Sequence, residues 1–375
     1  MPSRVEAARR YVALLAAVRR ARRGPFDPFK LTWIVTERCS LRCRTCRLWA
    51  TSPEAGPPLA EVERVLAANR QLTWLNLSGG DLVERPDAPE LLERVAHGLP
   101  DLALLDFPTA GQDQRATLAA LEPVLQSEIP RVYVTVSLDG PDDVHDRLRG
   151  RRGAAAAARA TLRRLQALRR PGFRAVAGMT LSRHNLPERG GVESSERAGD
   201  AAADPAAWLP TGVAAHALHL NLAHHSTHYY RNAADVAPPA DSALALVAHV
   251  ERAAGRRLSP LHAMERRYWR VARRWLAGGD TGLDCGALRA SVFLAADLTV
   301  HPCSIFERPL GRLPDVGYAL RRLPELPGAA EALGLVQARA CPRCWSPCEA
   351  FPTLLLRLGS TAAVRTSAVR SAARA

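Results

Sequence analysis

The chain has 375 residues, 47% of them hydrophobic, and its 51 Lys+Arg against 37 Asp+Glu leave a formal charge of +14. That apolar content can bury a sizeable core, which excludes wholesale disorder, and the length suits two or three domains or one large α/β barrel with an appendage. The longest apolar run, residues 11–18, is far short of the roughly 20 residues a bilayer span needs, and no signal-peptide cleavage pattern follows it; the expectation is a cytoplasmic protein with no transmembrane segment.

The charge is unevenly placed. Residues 1–23 hold seven Arg and one Glu, and residues 357–375 hold four Arg and no acid. Lys30 is the only lysine in the chain. Arginine binds phosphate well, but charge gathered at two ends is poor evidence for a nucleic-acid face, so solubilising ends are expected instead.

In chain order, residues 4–23 read as an amphipathic helix, with Val5, Ala8, Val12, Leu15 and Val18 recurring at helical steps. It is expected to pack on the main domain rather than lie on a membrane. Six β-prone runs follow at 31–36, 74–78, 102–108, 132–138, 174–181 and 216–222, with helical segments such as 58–70, 88–97, 113–126 and 154–169 between them. This alternation is the signature of βαβ units and a parallel sheet, either doubly wound or a partial (β/α)6 barrel. Residues 189–207 are poor in apolar residues and read as a mobile excursion, 240–278 as helical, and the stretch after 357 as a fraying tail.

Polar and glycine-rich motifs stand after each predicted strand: Thr36-Glu37-Arg38-Cys39, Ser78-Gly79-Gly80-Asp81, Thr109-Ala110-Gly111, Ser137-Leu138-Asp139-Gly140, Thr180 with Asn185, and Asn221 with His224 and His225. In parallel α/β folds these strand ends share the face that hosts the active site. The eight cysteines fall into two groups, Cys39, Cys43, Cys46 and then Cys285, Cys303, Cys341, Cys344, Cys348. An even count could mean disulfides, but a long chain without a secretion signal does not need them. Cys39-x3-Cys43-x2-Cys46 puts three thiols on one short loop, enough to grip a metal centre and leave one position open.

These residues resemble the radical S-adenosylmethionine (SAM) superfamily. The Cx3Cx2C loop follows the first strand. Ser78-Gly79-Gly80-Asp81 is similar to the GGEP-type segment, Thr109-Ala110-Gly111 to a Thr-Asn-Gly turn, and Ser137-Leu138-Asp139-Gly140-Pro141 with His145-Asp146-Arg147-Leu148-Arg149-Gly150 to the SLDGP…HDRLRG stretch of members with an auxiliary-cluster domain. The motifs cover about residues 30–350. The departures are Thr45 before the third cysteine, Asp81 without the following proline, and Ala110 for Asn.

The resemblance implies a [4Fe-4S] cluster on Cys39, Cys43 and Cys46. SAM would chelate the open iron and be contacted by Ser78, Gly79, Gly80, Asp81, Thr109, Ser137, Asp139 and Asn185. It also implies reductive cleavage of SAM to a 5′-deoxyadenosyl radical that takes hydrogen from a small-molecule or peptide substrate, with an electron donor such as flavodoxin or ferredoxin.

The second cysteine group lies around residues 291–302, which read as a β-hairpin with a turn near Asp297. By spacing alone a structural zinc and a cluster are equally open. The resemblance implies a short twitch or SPASM-like domain with an auxiliary [4Fe-4S] cluster, held by four of the five cysteines. Cys285, Cys303, Cys341 and Cys344 are the chosen set, with Cys348 as competitor. The resulting plan is an N-terminal basic helix (1–28), a partial (β/α)6 TIM-like barrel (29–235), a helical linker (236–279), a cysteine-rich domain (280–355) and a flexible basic tail (356–375). His224, His225 and His228 with Tyr229 and Tyr230 could face substrate, although loop or cap roles suit each singly, and His219 reads as structural. A radical SAM enzyme acting on RNA and a zinc-binding interaction protein are the alternatives. The lack of a visible N-terminal peptide-recognition domain leans toward a small-molecule substrate.

Overall fold

The computed structural model describes residues 3–50, 56–188, 204–255, 260–278 and 280–358. Most of the expected excursion (189–203) and the tail beyond 358 lie outside the described residues. Helix α1 (Arg4–Ala21) precedes β1 (Lys30–Thr36), α2 (Leu59–Ala68), β2 (Trp74–Gly79), α3 (Ala88–Gly98), β3 (Leu104–Thr109), α4 (Gln114–Gln126), β4 (Arg131–Ser137), α5 (Asp142–Arg149), α6 (Ala154–Gln166), β5 (Phe173–Leu181) and β6 (Leu218–Leu222). Then come α7 (Ala240–Ala254), α8 (Pro260–Gly278), β7 (Ser291–Leu294), β8 (Thr299–His301), β9 (Gly311–Arg312), α9 (Ala329–Gln337) and α10 (Pro347–Leu356).

β1 to β6 pair in parallel with each sequence neighbour. Two-residue alternation decides the faces. Leu31, Trp33 and Val35 of β1, Leu75 and Leu77 of β2, Leu105 and Phe107 of β3 and Val132, Val134 and Val136 of β4 enter one core beneath the helices. The residues between them turn to the other side, where Thr32, Asn76, Ser78, Asp106, Thr135 and Ser137 are polar and Ile34 packs with Tyr229 and Phe293. The carboxyl ends of all six strands therefore open at one face, as a partial barrel requires.

The expected hairpin forms, but it is not a separate sheet. β7 lies parallel to the free edge of β1, with Lys30 opposite Ser291, and β8 and β9 add antiparallel strands beyond it. The result is one nine-stranded sheet, β6-β5-β4-β3-β2-β1-β7-β8-β9. The cysteine-rich region thus continues the barrel sheet, and its geometry is tied to β1.

One helical face differs from expectation. Of the apolar residues read as the packing stripe of α1, only Val18 is buried; Val5, Val12 and Leu15 are exposed at 81%, 65% and 55%. The helix instead seats Arg10, Ala17, Val18 and Ala21, because Arg10 donates to Leu102 O at 3.0 Å and Arg9 to Asp101 at 2.7 Å. Two fixed guanidinium contacts orient the helix against the pull of its own apolar stripe.

Candidate functional site

Cys39, Cys43 and Cys46 lie on the loop after β1 and share one small apolar cluster with Leu41 and Ala110. Burial pushes the thiols of Cys39 and Cys46 up to about 12, with Cys43 adding to both shifts. Near neutral pH they keep their protons unless a metal displaces them. Among the described residues no three His, Cys, Asp or Glu converge as a single-ion site. A cubane asks for something wider, because each thiolate binds its own iron.

Three segments hold this loop in place. Beneath it, Gly79 and Gly80 end β2: a Cβ on Gly80 would meet Arg38 O at 1.9 Å and one on Gly79, at φ +127, would meet Thr36 O at 2.0 Å. That closeness lets Gly80 N–H donate to Thr36 O and Asp81 N–H to Arg38 O, each at 2.8 Å. On one side α5 presents carbonyls, and Arg42 N–H and Arg44 N–H donate to Arg149 O and Leu148 O. On the other, the segment after β6 acts as a clamp. Asn232 donates to Thr45 O at 3.0 Å, Arg47 N–H donates to Tyr230 O at 2.8 Å, and Arg231 grips Glu37 at 2.7 and 3.1 Å.

The other strand-end residues form two buried knots. Asp81 accepts from Thr109 Oγ1 at 3.0 Å and Ala110 N–H at 2.8 Å, and burial raises its carboxyl to about 6. Asp139 accepts from Arg149 Nε at 2.7 Å and Thr180 N–H at 2.9 Å. Its own N–H donates to His145 Nδ1 at 3.0 Å, and Asn185 donates to its carbonyl at 2.8 Å. The structure thus brings Asp81 to Thr109, and Asp139 to Asn185, with their polar groups engaged within the protein. Ser78 pairs with the Tyr229 hydroxyl, while Ser137 ends β4 half-buried.

The second group of cysteines lies in the C-terminal region. Cys285, Cys303, Cys341 and Cys344 line one cavity with Phe306 and Val336. Cys348 is not among the lining residues; its carbonyl accepts from Lys30 Nζ at 2.5 Å. Burial raises the Cys344 thiol to about 12 and the Cys303 thiol well above its ordinary value. Glu349 also borders the cavity, its Oε1 buried without a partner while Oε2 pairs with Ser291.

The histidines after β6 divide. His225 is exposed. His224 is buried edge-on to Trp275, 4.9 Å between centroids. His228 stacks on His301 at 4.3 Å, and its Nε2 lies 3.0 Å from Cys303 O. Tyr229 and Tyr230, tilted against each other with ring centroids 4.2 Å apart, stand between the two cysteine groups: Tyr230 shares an apolar cluster with Cys303, Cys341 and Cys344, and its carbonyl holds Arg47. Sequence reading grouped these tyrosines with the histidines but missed the clamp role of Arg231 and Asn232. Their place just past the sixth strand end was the available signal.

No family model matches the chain. A curated relative is the antilisterial bacteriocin subtilosin biosynthesis protein AlbA of Bacillus subtilis (strain 168), 30% identical over 135 residues, which is 34% of this chain and 28% of AlbA's own length. Among solved structures, anSMEcpe with bound AdoMet and Cp18Cys peptide has a TM-score of 0.52 at 15% identity, covering 82% of this chain and 83% of that one. Streptococcus suis SuiB bound to S-adenosylmethionine gives a TM-score of 0.43 at 14% identity, covering 74% and 60%. The fold is a partial (β/α) barrel with cysteine loops, one at its strand ends and one in the C-terminal extension of its sheet. Over those 135 residues the chain is similar to AlbA, and its overall fold is similar to that of anSMEcpe.

Proposed function

We propose that this chain is a radical SAM enzyme that modifies a peptide in natural-product maturation. The observation that carries the proposal is the packing of Cys39, Cys43 and Cys46 into one cluster at the strand carboxyl ends, walled by the Asp81–Thr109 and Asp139–Arg149 knots. The donor set fits a [4Fe-4S] cluster, with three thiols for three irons and one iron left for SAM. When bound, SAM and that cluster would supply a 5′-deoxyadenosyl radical able to take hydrogen from a substrate carbon.

The chain's own residues do the positioning. Gly79 and Gly80 let the turn after β2 run directly under the cysteine loop. Arg149 sets a positive charge 3.7 Å from Cys43 Sγ. Leu41 and Ala110 cover the thiols with apolar surface, which limits water at the centre. Cys285, Cys303, Cys341 and Cys344 would hold an auxiliary cluster, with Cys348 left out. Support for a peptide substrate comes from AlbA, named for bacteriocin biosynthesis, and from the peptide present with anSMEcpe. The test is anaerobic reconstitution followed by SAM and dithionite. Wild type should release 5′-deoxyadenosine and Cys43→Ala none; equal release from both would overturn the reading.

A further inference from the structure

The cysteine loop carries its own surface chemistry. Arg38, Arg42, Arg44 and Arg47 are interleaved with the three thiols and are all exposed. The turn after α5 adds exposed Arg151 and Arg152, and it is fastened to the loop by the Arg42 N–H to Arg149 O and Arg44 N–H to Leu148 O bonds. Gly150 completes this contact: a Cβ there would stand 2.7 Å from Arg42 O. Among the described residues none of these six arginines has an ion-pair partner, whereas nearby acids are engaged. Asp143 faces Arg147 at 3.5 Å, Asp146 Oδ1 accepts from Ala155 N–H at 2.9 Å, and Glu84 accepts from Ser40 at 2.7 Å.

Within this basic field sits Trp49, exposed at 39%. The Arg42 guanidinium lies 5.9 Å from its ring centroid. Its indole N–H donates to Cys46 O at 3.0 Å and Cys43 O at 3.4 Å. An exposed aromatic side chain is thus bonded to the backbone of two thiol-bearing residues. Positive charge around an apolar contact, next to the centre, is the combination that steers and seats an acidic partner.

We infer that this face, formed by Arg42, Arg44, Arg47, Arg151 and Arg152 around Trp49, docks an acidic one-electron donor protein. The inference rests on the proposed radical SAM reading, which requires an electron at the Cys39–Cys46 centre. One electron leaves the reduced cofactor of the donor and arrives at the iron–sulfur centre, and no bond is made or broken at the face itself. Docking here keeps the transfer path as short as the loop allows.

The test uses the full-length reconstituted protein and, as probe, an acidic flavodoxin kept reduced by NADPH and its reductase. Two charge-reversal pairs, R42E/R44E and R151E/R152E, are compared with wild type. Their iron content and circular dichroism serve as folding controls, and the two pairs alter separate segments. Flavodoxin binding is measured directly as a function of salt, and 5′-deoxyadenosine release is measured with flavodoxin and separately with dithionite. The expected result is that each pair weakens flavodoxin binding and slows flavodoxin-driven release by about tenfold or more at low salt, with dithionite-driven release unchanged in R151E/R152E. Unaltered flavodoxin binding and unaltered flavodoxin-driven release in both pairs would overturn the inference. So would a face that binds a polyglutamate peptide or an RNA but no flavodoxin. If wild type releases nothing with dithionite, the radical SAM reading fails, and the binding measurement still decides the docking face.

Discussion

Arg149 joins two parts of the site: its Nε donates to Asp139 at 2.7 Å while its Nη1 lies 3.7 Å from Cys43 Sγ. One guanidinium therefore neutralises a carboxylate that is 1% exposed and faces the middle thiol of the cysteine loop. Removing one partner of a buried pair strands the other charge, at about 3–5 kcal/mol, and loss of a supporting partner weakens metal binding about 10–100-fold. Arg149→Met should show both losses, in denaturant unfolding of the metal-free protein and in iron retention under chelator challenge. Adding Asp139→Asn should restore part of the stability but not the iron. An Arg149→Met protein as stable as wild type would contradict the pairing.

Gly80 is a steric requirement of the site. Its missing Cβ would lie 1.9 Å from the Arg38 carbonyl oxygen, and backbone cannot yield as a side-chain tip can. Gly80→Ala should destabilise the fold by about 3 kcal/mol and lower iron incorporation, because the cysteine loop must lift. Gly334→Ala is the control, since a Cβ there meets nothing within 4 Å and its φ, like that of Gly80, is not in the left-handed region; it should leave iron content unchanged.

Asp81 gives a pH signature. Burial raises its carboxyl from 3.8 to about 6, so between those values the folded protein holds the proton more tightly than the unfolded chain does. Its contribution to stability is present below about pH 4, falls as pH rises toward 6 and stays lost above that. Asp81→Asn should remove this falling component. The difference in unfolding free energy between wild type and variant, followed from pH 4 to 7, should slope against wild type. A flat difference would mean that Asp81 is ionised throughout.

The fifth cysteine of the C-terminal group separates from the other four. Cys344 borders the cavity shared with Cys285, Cys303 and Cys341, and Cys348 does not. Cys344→Ala should lose about four irons per chain while Cys348→Ala retains them, read by iron and sulfide analysis. The reverse pattern would put Cys348 in the ligand set.

Much of the fold was legible because strand alternation is a local property. The apolar positions of 31–36 and 132–138 mark strands without reference to any neighbour, and the observed β1 and β4 lie within one residue of those bounds. The cysteine spacing was equally local, since three thiols within eight residues must share a loop. The packing of α1 was not legible, because contacts to Leu102 and Asp101, some ninety residues away, turned its apolar stripe outward.

By itself the sequence determined the parallel α/β architecture and the thiol loop at its strand ends, since each depends on residue type and short spacing. Tertiary structure alone decided three things. Asp81, Asp139 and Asn185 meet partners far along the chain and are held in knots that wall the site. The C-terminal hairpin pairs with β1 and becomes part of the barrel sheet. Four of five cysteines border a common cavity. The physical reason is the same in each case: a hydrogen-bond partner, a sheet edge or a cavity wall is set by contacts between distant segments, and no local pattern encodes which segments meet.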